Sequence, residues 1–315
     1  MPPAKSRRKE VETLGEHSVA AIRSSRWLCA ESPNAALRYN RDVTRTRRPR
    51  LGQHFLTSES IRQRIAESIT LRADDLVLEI GPGRGAMTEL LAARGRRVVA
   101  TELDAALAKQ LAENLKDNTK IEIVRGDILA TDLSSLCQRN GFERCMVFGN
   151  LPYYITSPIL HHLFDQAASI RAMALLVQRE VADRLTAKPG SRDYGYLTVL
   201  AQLYGEPRIV LNVPPGAFSP PPKVQSALVQ FTMRPKFPAW SAPEHKRFLD
   251  FVKSCFAQKR KNLLNNLARQ YGREKVLAYL ATSQLTSSAR AEELTIDHLA
   301  ELWRAAFNTE GVECE

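Results

Sequence analysis

The tetrapeptide Asn150-Leu151-Pro152-Tyr153 brings together an amide, a backbone carbonyl in front of a proline and an aromatic ring. An amide oxygen and a carbonyl each accept one N–H hydrogen bond, and a tyrosine ring stacks on a flat partner. Those groups suit a planar base carrying an exocyclic amine. The same four residues also suit an ordinary polar turn, so the choice rests on the elements around them. One residue upstream of Gly149 ends the apolar run Met146-Val147-Phe148, which reads as a short buried strand. Proline stops a strand because it has no N–H for the ladder, and it keeps the residue before it extended. The turn is therefore expected at the carboxyl end of a strand, where open α/β sheets bind ligands.

Three earlier strand ends carry matching chemistry. Asp75 to Ile80 is an apolar run that leads into Gly81-Pro82-Gly83-Arg84-Gly85-Ala86, and Met87 to Arg94 has a helical pattern. Strand, glycine turn and helix open a nucleotide-binding sheet, the glycines permitting close approach of a ligand to the backbone. Arg97 to Leu103 reads as the next strand and carries Glu102, about 20 residues past the glycines, where an acid binds ribose hydroxyls. Ile121 to Arg125 follows, ending in Gly126-Asp127-Ile128. A carboxylate there accepts from an adenine amino group, with Ile128 beside the ring. The glycine turn and Glu102 alone fit nicotinamide enzymes as well as methyltransferases. Asp127 and the Asn150 turn favour the second, because three consecutive strand ends then carry ligand chemistry. Singly, each acid is more often a cap or turn residue.

These segments need a parallel sheet with right-handed helical crossovers. Helices are expected over Ser60 to Ile69, starting at Ser58 or Glu59, and over Ala105 to Leu115, Ile159 to Ala167 and Arg179 to Ala187. Ala172 to Val177 reads as a strand, and Pro207 to Val213 with Val224 to Phe231 as an antiparallel closing hairpin. The prolines at 235, 238 and 243 mark a linker. Beyond it, Glu244 to Ala257, Asn262 to Arg269, Glu274 to Ala281 and Ile296 to Phe307 read as helices. The expected architecture is α/β, a Rossmann-like methyltransferase sheet with a smaller C-terminal all-helical domain. Its parts are a basic, disordered tail (1–47), a catalytic domain (48–234) and a helical RNA-binding domain (235–315).

The 315-residue chain is 44% hydrophobic, within globular norms. Its net charge of +11 is unevenly spread. Residues 1–50 hold twelve Lys/Arg against five Asp/Glu, and residues 245–275 hold nine against two. Two basic segments around a near-neutral body suit a polyanion, and nucleic acid fits better than a membrane because neither segment is a clean amphipathic anchor. Lys259, Arg260 and Lys261 are consecutive, so on a helix they fan across about 200°. Arg269 and Arg273 would share a face if that helix persists through Gly272. The five cysteines are scattered, which reads as reduced thiols in a cytosolic protein rather than a metal site or a disulfide frame. Cys137 and Cys145 read as lone buried residues.

From about Arg48 onward, the chain resembles the rRNA adenine N6,N6-dimethyltransferases, and within them the small-subunit dimethyladenosine transferases. The resemblance rests on Leu51-Gly52-Gln53-His54-Phe55-Leu56, Glu79-Ile80-Gly81-Pro82-Gly83, Glu102, Gly126-Asp127 and Asn150-Leu151-Pro152-Tyr153. It extends to Phe218-x-Pro220-x-Pro222-Lys223-Val224 and Phe256-Ala257-Gln258-Lys259-Arg260-Lys261-Asn262-Leu263. It implies that S-adenosylmethionine is the methyl donor and is bordered by His54, Leu56, Gly81, Gly83, Glu102, Asp127, Ile128 and Asn150. The turn Asn150 to Tyr153 would be catalytic. Phe218 is a candidate second stacking face, or else a core residue, and Lys259, Arg260 and Lys261 would meet RNA. His54 has its own bland alternative, a core or capping histidine. The family often has Asn at His54 and at Tyr154. The implied substrate is two adjacent adenines near the 3′ end of 16S rRNA in the 30S subunit. The implied enzyme is a cytoplasmic monomer with no membrane partner and no metal. The competing readings are a large-subunit adenine methylase of the antibiotic-resistance type, a non-catalytic ribosome assembly factor and a nicotinamide dehydrogenase.

Overall fold

The computed structural model describes residues 54–259 and 261–310. The expectations for residues 1–47, for Leu51 to Gln53 and for Arg260 lie outside them. In chain order the elements begin with β1 (Phe55–Leu56), α1 (Glu59–Ser68), β2 (Leu76–Ile80), α2 (Thr88–Arg94), β3 (Arg97–Glu102) and α3 (Ala105–Asn114). Next come β4 (Ile121–Arg125), α4 (Leu133–Arg139), β5 (Cys145–Asn150), α5 (Thr156–Asp165), β6 (Ile170–Gln178), α6 (Arg179–Leu185) and α7 (Tyr196–Tyr204). They continue with β7 (Gly205–Val213), β8 (Phe218–Ser219), β9 (Ser226–Met233), α8 (Ala242–Cys255), α9 (Leu263–Tyr271), α10 (Arg273–Thr282) and α11 (Ile296–Glu310).

Seven strands form one sheet in the order β4-β3-β2-β5-β6-β9-β7. The first five run parallel, and β9 and β7 close the sheet antiparallel as expected. The chain leaves β2 to one side for β3 and β4, and returns to its other side at β5. That reversal puts a crevice at the carboxyl ends of β2 and β5, beside Gly81 and Asn150. The central strands are mostly apolar because helices cover both faces; all five residues of β2 are buried, Glu79 included.

Side chains set the helix starts next to the crevice. Ser58 accepts from the Ile61 N–H at the start of α1, and Asp104 accepts from Ala106 and Leu107 at the start of α3. Asp132 caps α4 in the same way. Neither α4 nor α7 was expected. The first has only seven residues with two serines inside. The second is apolar around most of its circumference, so periodicity does not distinguish it from a strand.

The C-terminal helices share the sheet's core: Phe248, Val252 and Leu299 belong to the same buried cluster as Leu163 and Phe231. His245 of α8 lies 5.4 Å from the Tyr204 ring, which in turn stacks on Phe164. The basic segment departs from expectation. Helix α8 stops at Cys255, and Asn262 caps α9 in extended backbone, so Lys259 and Lys261 sit in the loop between helices rather than on one. The Asn266 amide gathers this loop by donating to the carbonyls of Cys255, Gln258 and Lys261. Nor do Arg269 and Arg273 share a helix, because Gly272, at φ +82°, ends α9 and starts α10. Cys137 and Cys145 are buried free thiols, as expected, and both donate to the Ser169 carbonyl.

Candidate active site

One cleft opens over the carboxyl ends of β2, β3, β4 and β5. His54, Leu56, Gly81, Gly83, Glu102, Asp127, Ile128, Asn150, Leu151, Pro152 and Tyr153 all line it. Sequence reasoning thus brought together residues from five segments of the chain. Phe218 does not line the cleft. It is 3% exposed in β8, pairs with Leu56 and packs in the core beside Leu176 and Leu228. As placed, it has no open face on which a base could stack, so its core alternative holds. Lys259 is exposed away from the cleft, with Nζ donating to the Arg192 carbonyl at 2.8 Å.

The glycine turn is shaped to leave backbone exposed. Gly81 and Gly83 have φ of +64° and +57°, in the region that side chains disfavour. A Cβ on Gly83 would also meet the Phe55 ring at 3.0 Å. The Gly83 N–H donates to Glu102 Oε2 at 3.0 Å, and Asp104 N–H donates to Oε1 at 2.9 Å. Glu102 is 3% exposed, so its carboxylate is fixed by two amides while each oxygen keeps a further lone pair. Asp127 uses Oδ1 to accept from Leu129 N–H at 2.9 Å.

At the end of β5 the amide of Asn150 has a determined orientation. Its Nδ2 donates to the His54 backbone carbonyl at 3.0 Å. A carbonyl only accepts, so the nitrogen is committed to that contact and Oδ1 is left as an acceptor. Leu151 is buried and its N–H donates to the Leu176 carbonyl. The Pro152 carbonyl takes the Ile155 N–H and the Thr156 hydroxyl. Tyr153 is fixed at both ends. Its hydroxyl pairs with Ser226 Oγ at 2.8 Å, and its ring stacks on the His54 imidazole with centroids 5.4 Å apart. Burial raises the Tyr153 pKa above its usual value. His54 Nδ1 lies 2.7 Å from the Pro220 carbonyl, so Nδ1 carries the proton.

Among the cleft residues left unassigned in the sequence are Phe55, Arg84 and Glu79. Phe55 and Arg84 line the wall together, the guanidinium 4.9 Å above the ring. Glu79 is 2% exposed and its Oε2 has no hydrogen-bond partner. Burial, opposed by the nearby Thr88 hydroxyl and aided by the Glu102 charge, pushes its pKa from 4.5 up to about 7. The signal for Glu79 was present in the sequence, as a lone carboxylate inside an otherwise apolar strand.

The raised pKa of Glu79 has a consequence for stability. Between pH 4.5 and about 7 the unfolded chain has released this proton and the folded chain still holds it. Stability therefore falls as pH rises through that window and stays at the lower level above it. Glu79→Gln should remove this contribution, about 3 kcal/mol by the size of the shift. Urea midpoints at pH 5 and pH 7.5 check it: the variant should gain on the wild type at the higher pH.

Known proteins resemble this chain in sequence and in fold. Residues 44–306 match the ribosomal RNA adenine dimethylase family. A ribosomal RNA small subunit methyltransferase A from Acidobacterium capsulatum is 45% identical over 258 residues, covering 82% of this chain and 90% of that one. The protein of the same name from Koribacter versatilis is 42% identical, covering 82% and 93%. Among solved structures, a 23S rRNA methyltransferase, ErmE, superposes with a TM-score of 0.62 at 32% identity, covering 80% and 99%. A dimethyladenosine transferase from Plasmodium falciparum superposes at 0.67 and 22% identity, covering 82% and 98%, a likeness of fold. On the extent of the family match and on these identities, the chain belongs to the ribosomal RNA adenine dimethylases.

Proposed function

We propose that this chain transfers methyl groups from S-adenosylmethionine to N6 of two adjacent adenines near the 3′ end of 16S rRNA in the 30S particle. It acts in small-subunit biogenesis, as a cytoplasmic monomer. The observation that carries the reading is the oriented Asn150 amide, its oxygen left as an acceptor in the same cleft as Glu102 and Asp127. The names and identities of the small-subunit relatives favour this substrate over a large-subunit one. No helix among the described residues is long and apolar enough to cross a membrane.

The cleft's own unsatisfied groups fit the cofactor. Glu102 would hold the ribose hydroxyls on its remaining lone pairs, and Asp127 the adenine amino group, with Ile128 and Leu56 beside the ring system. The unpartnered Oε2 of Glu79 suits the ammonium of the methionine end, near Gly81, Gly83 and His54. When bound, the cofactor supplies a methyl group already electrophilic on its sulfonium.

The adenine amine is a poor nucleophile, because its lone pair is delocalised into the ring. Asn150 Oδ1 and the Leu151 carbonyl would accept its two N–H groups and favour a pyramidal nitrogen. Pro152 keeps that carbonyl in place, and Tyr153 stacks on the ring to align N6 with the incoming carbon. Positioning and fixed acceptors supply the catalysis. A paired adenine does not reach this turn, so the base must be unstacked and extruded.

Labelled methyl transfer to 30S particles lacking the modification tests the reading. Recovery of N6,N6-dimethyladenosine from the 16S rRNA is the expected result; label in 23S rRNA alone, or none, would overturn it. For the cofactor, Glu102→Ala and Asp127→Ala should each weaken binding by about 1–3 kcal/mol in calorimetry. For RNA affinity, the loop cations Lys259 and Lys261 are the proposed phosphate contacts, together with Arg260. Lys259→Ala with Lys261→Ala should flatten the salt dependence of 30S binding by a slope of about 1 to 2, leaving cofactor affinity unchanged. If instead only deletion of residues 1–47 flattens it, the N-terminal segment is the RNA contact.

A further inference from the structure

Five large hydrophobic side chains among the described residues are strongly exposed: Leu103, Leu129, Tyr154, Val224 and Leu277. Four of them sit at one edge of the sheet. Leu103 follows β3, Leu129 follows Asp127 and Ile128 beyond β4, and Tyr154 follows the turn at the end of β5. Val224 precedes β9, whose first residue Ser226 pairs with Gln178 at the carboxyl end of β6. Exposed apolar residues are ordinary when scattered and informative when gathered. Leu103 and Leu129 adjoin the two acids assigned to the cofactor. Tyr154 and Val224 do not; in sequence they lie next to the proposed base-stacking ring, Tyr153, and two residues from its hydroxyl anchor, Ser226. Tyr154 is the next residue after Tyr153, lines the cleft and is 59% exposed. Val224, at 45%, is two residues from Ser226, whose hydroxyl holds the Tyr153 phenol at 2.8 Å.

We propose that Tyr154 and Val224 form a docking surface for the second adenine of the target pair while the first occupies the Asn150 turn. The inference rests on the substrate reading above and extends it. An extruded base remains joined to its neighbour by one phosphate, so the neighbour must lie at the rim of the same cleft. With two adjacent targets, one neighbour is always the other adenine. Its flat, unstacked face is the partner that a planar phenol and a branched aliphatic residue receive without base-specific hydrogen bonds. Lys223, exposed beside Val224, supplies a cation for the phosphate that joins the pair. The surface thus keeps the second base out of the surrounding helix and next to the site where it must react in turn.

The test is a cycle between protein and RNA. 30S particles are assembled with 16S rRNA whose 3′ segment is ligated from synthetic RNA, carrying both adenines or an abasic nucleotide at one or the other. Single-turnover methylation is measured against particle concentration for wild type, Tyr154→Ala and Tyr154→Phe. On particles with both adenines, Tyr154→Ala should raise the half-saturating concentration about tenfold, the scale of one lost base–aromatic stack. Tyr154→Phe should match wild type, and calorimetry should show the same cofactor affinity for all three. On abasic particles the wild type should lose its advantage over Tyr154→Ala. An Ala variant equal to wild type on intact particles would overturn the proposal. So would an Ala penalty of the same size on abasic particles, which would make Tyr154 a support for the turn. Absence of methyl transfer by the wild type to intact particles would instead overturn the substrate reading itself.

Discussion

The hydrogen bond from Asn150 Nδ2 to the His54 carbonyl is the contact on which the site depends. It joins residues 96 positions apart, and it decides which end of an amide faces the cleft. An unrestrained asparagine presents either a donor or an acceptor. This one presents an acceptor, the group an exocyclic amine needs. The backbone that supplies the carbonyl is itself secured. Phe55 and Leu56 pair with Ser219 and Phe218, and the His54 imidazole bonds to the Pro220 carbonyl in the same loop. The proline-rich loop therefore bears on Asn150 at one remove, by holding the segment that holds it.

The same logic recurs at the glycine-turn end of the cleft. The Glu102 carboxylate is fixed by two backbone amides, one from the glycine turn and one from the start of α3. Its position thus depends on the left-handed backbone of Gly81 and Gly83 and on the cap that begins the next helix. Glu79 is the exception, a buried carboxylate with an oxygen left unpartnered. An orphaned acceptor in a wall of fixed ones costs stability, a cost that a cationic partner would offset. Polar groups held before the reaction need no reorganisation during it.

Much of this was legible in the sequence because it is local. Apolar runs ending in Gly81, Glu102, Asp127 and Asn150 identified four strand ends, and the parallel sheet brought them together. Contacts between distant, short segments were not legible. The β1 and β8 strands have two residues each, too few for any pattern, and they pair across more than 160 positions. That pairing buries Phe218, which the sequence alone left as either a stacking face or a core residue. The loop containing Lys259 and Lys261 was hidden for a different reason. Its residues are good helix formers, and what holds the chain out of a helix is tertiary: Asn266 donates to the carbonyls of Cys255, at the end of α8, and of Gln258 and Lys261 in the loop. Tyr153 was found as an aromatic ring, but its anchors, Ser226 and the His54 ring, come from elsewhere in the chain.

The claim most open to direct test is that orientation of the Asn150 amide, not merely an oxygen at that position, makes the turn catalytic. Asn150→Asp keeps the size and the acceptor oxygen but has no N–H to offer the His54 carbonyl. Single-turnover methylation should then fall by about 10- to 100-fold, the worth of a hydrogen bond of about 1–3 kcal/mol. Cofactor affinity and melting temperature should stay close to wild type. A variant that methylates at the wild-type rate would contradict the account, because an acceptor would then suffice however it is held.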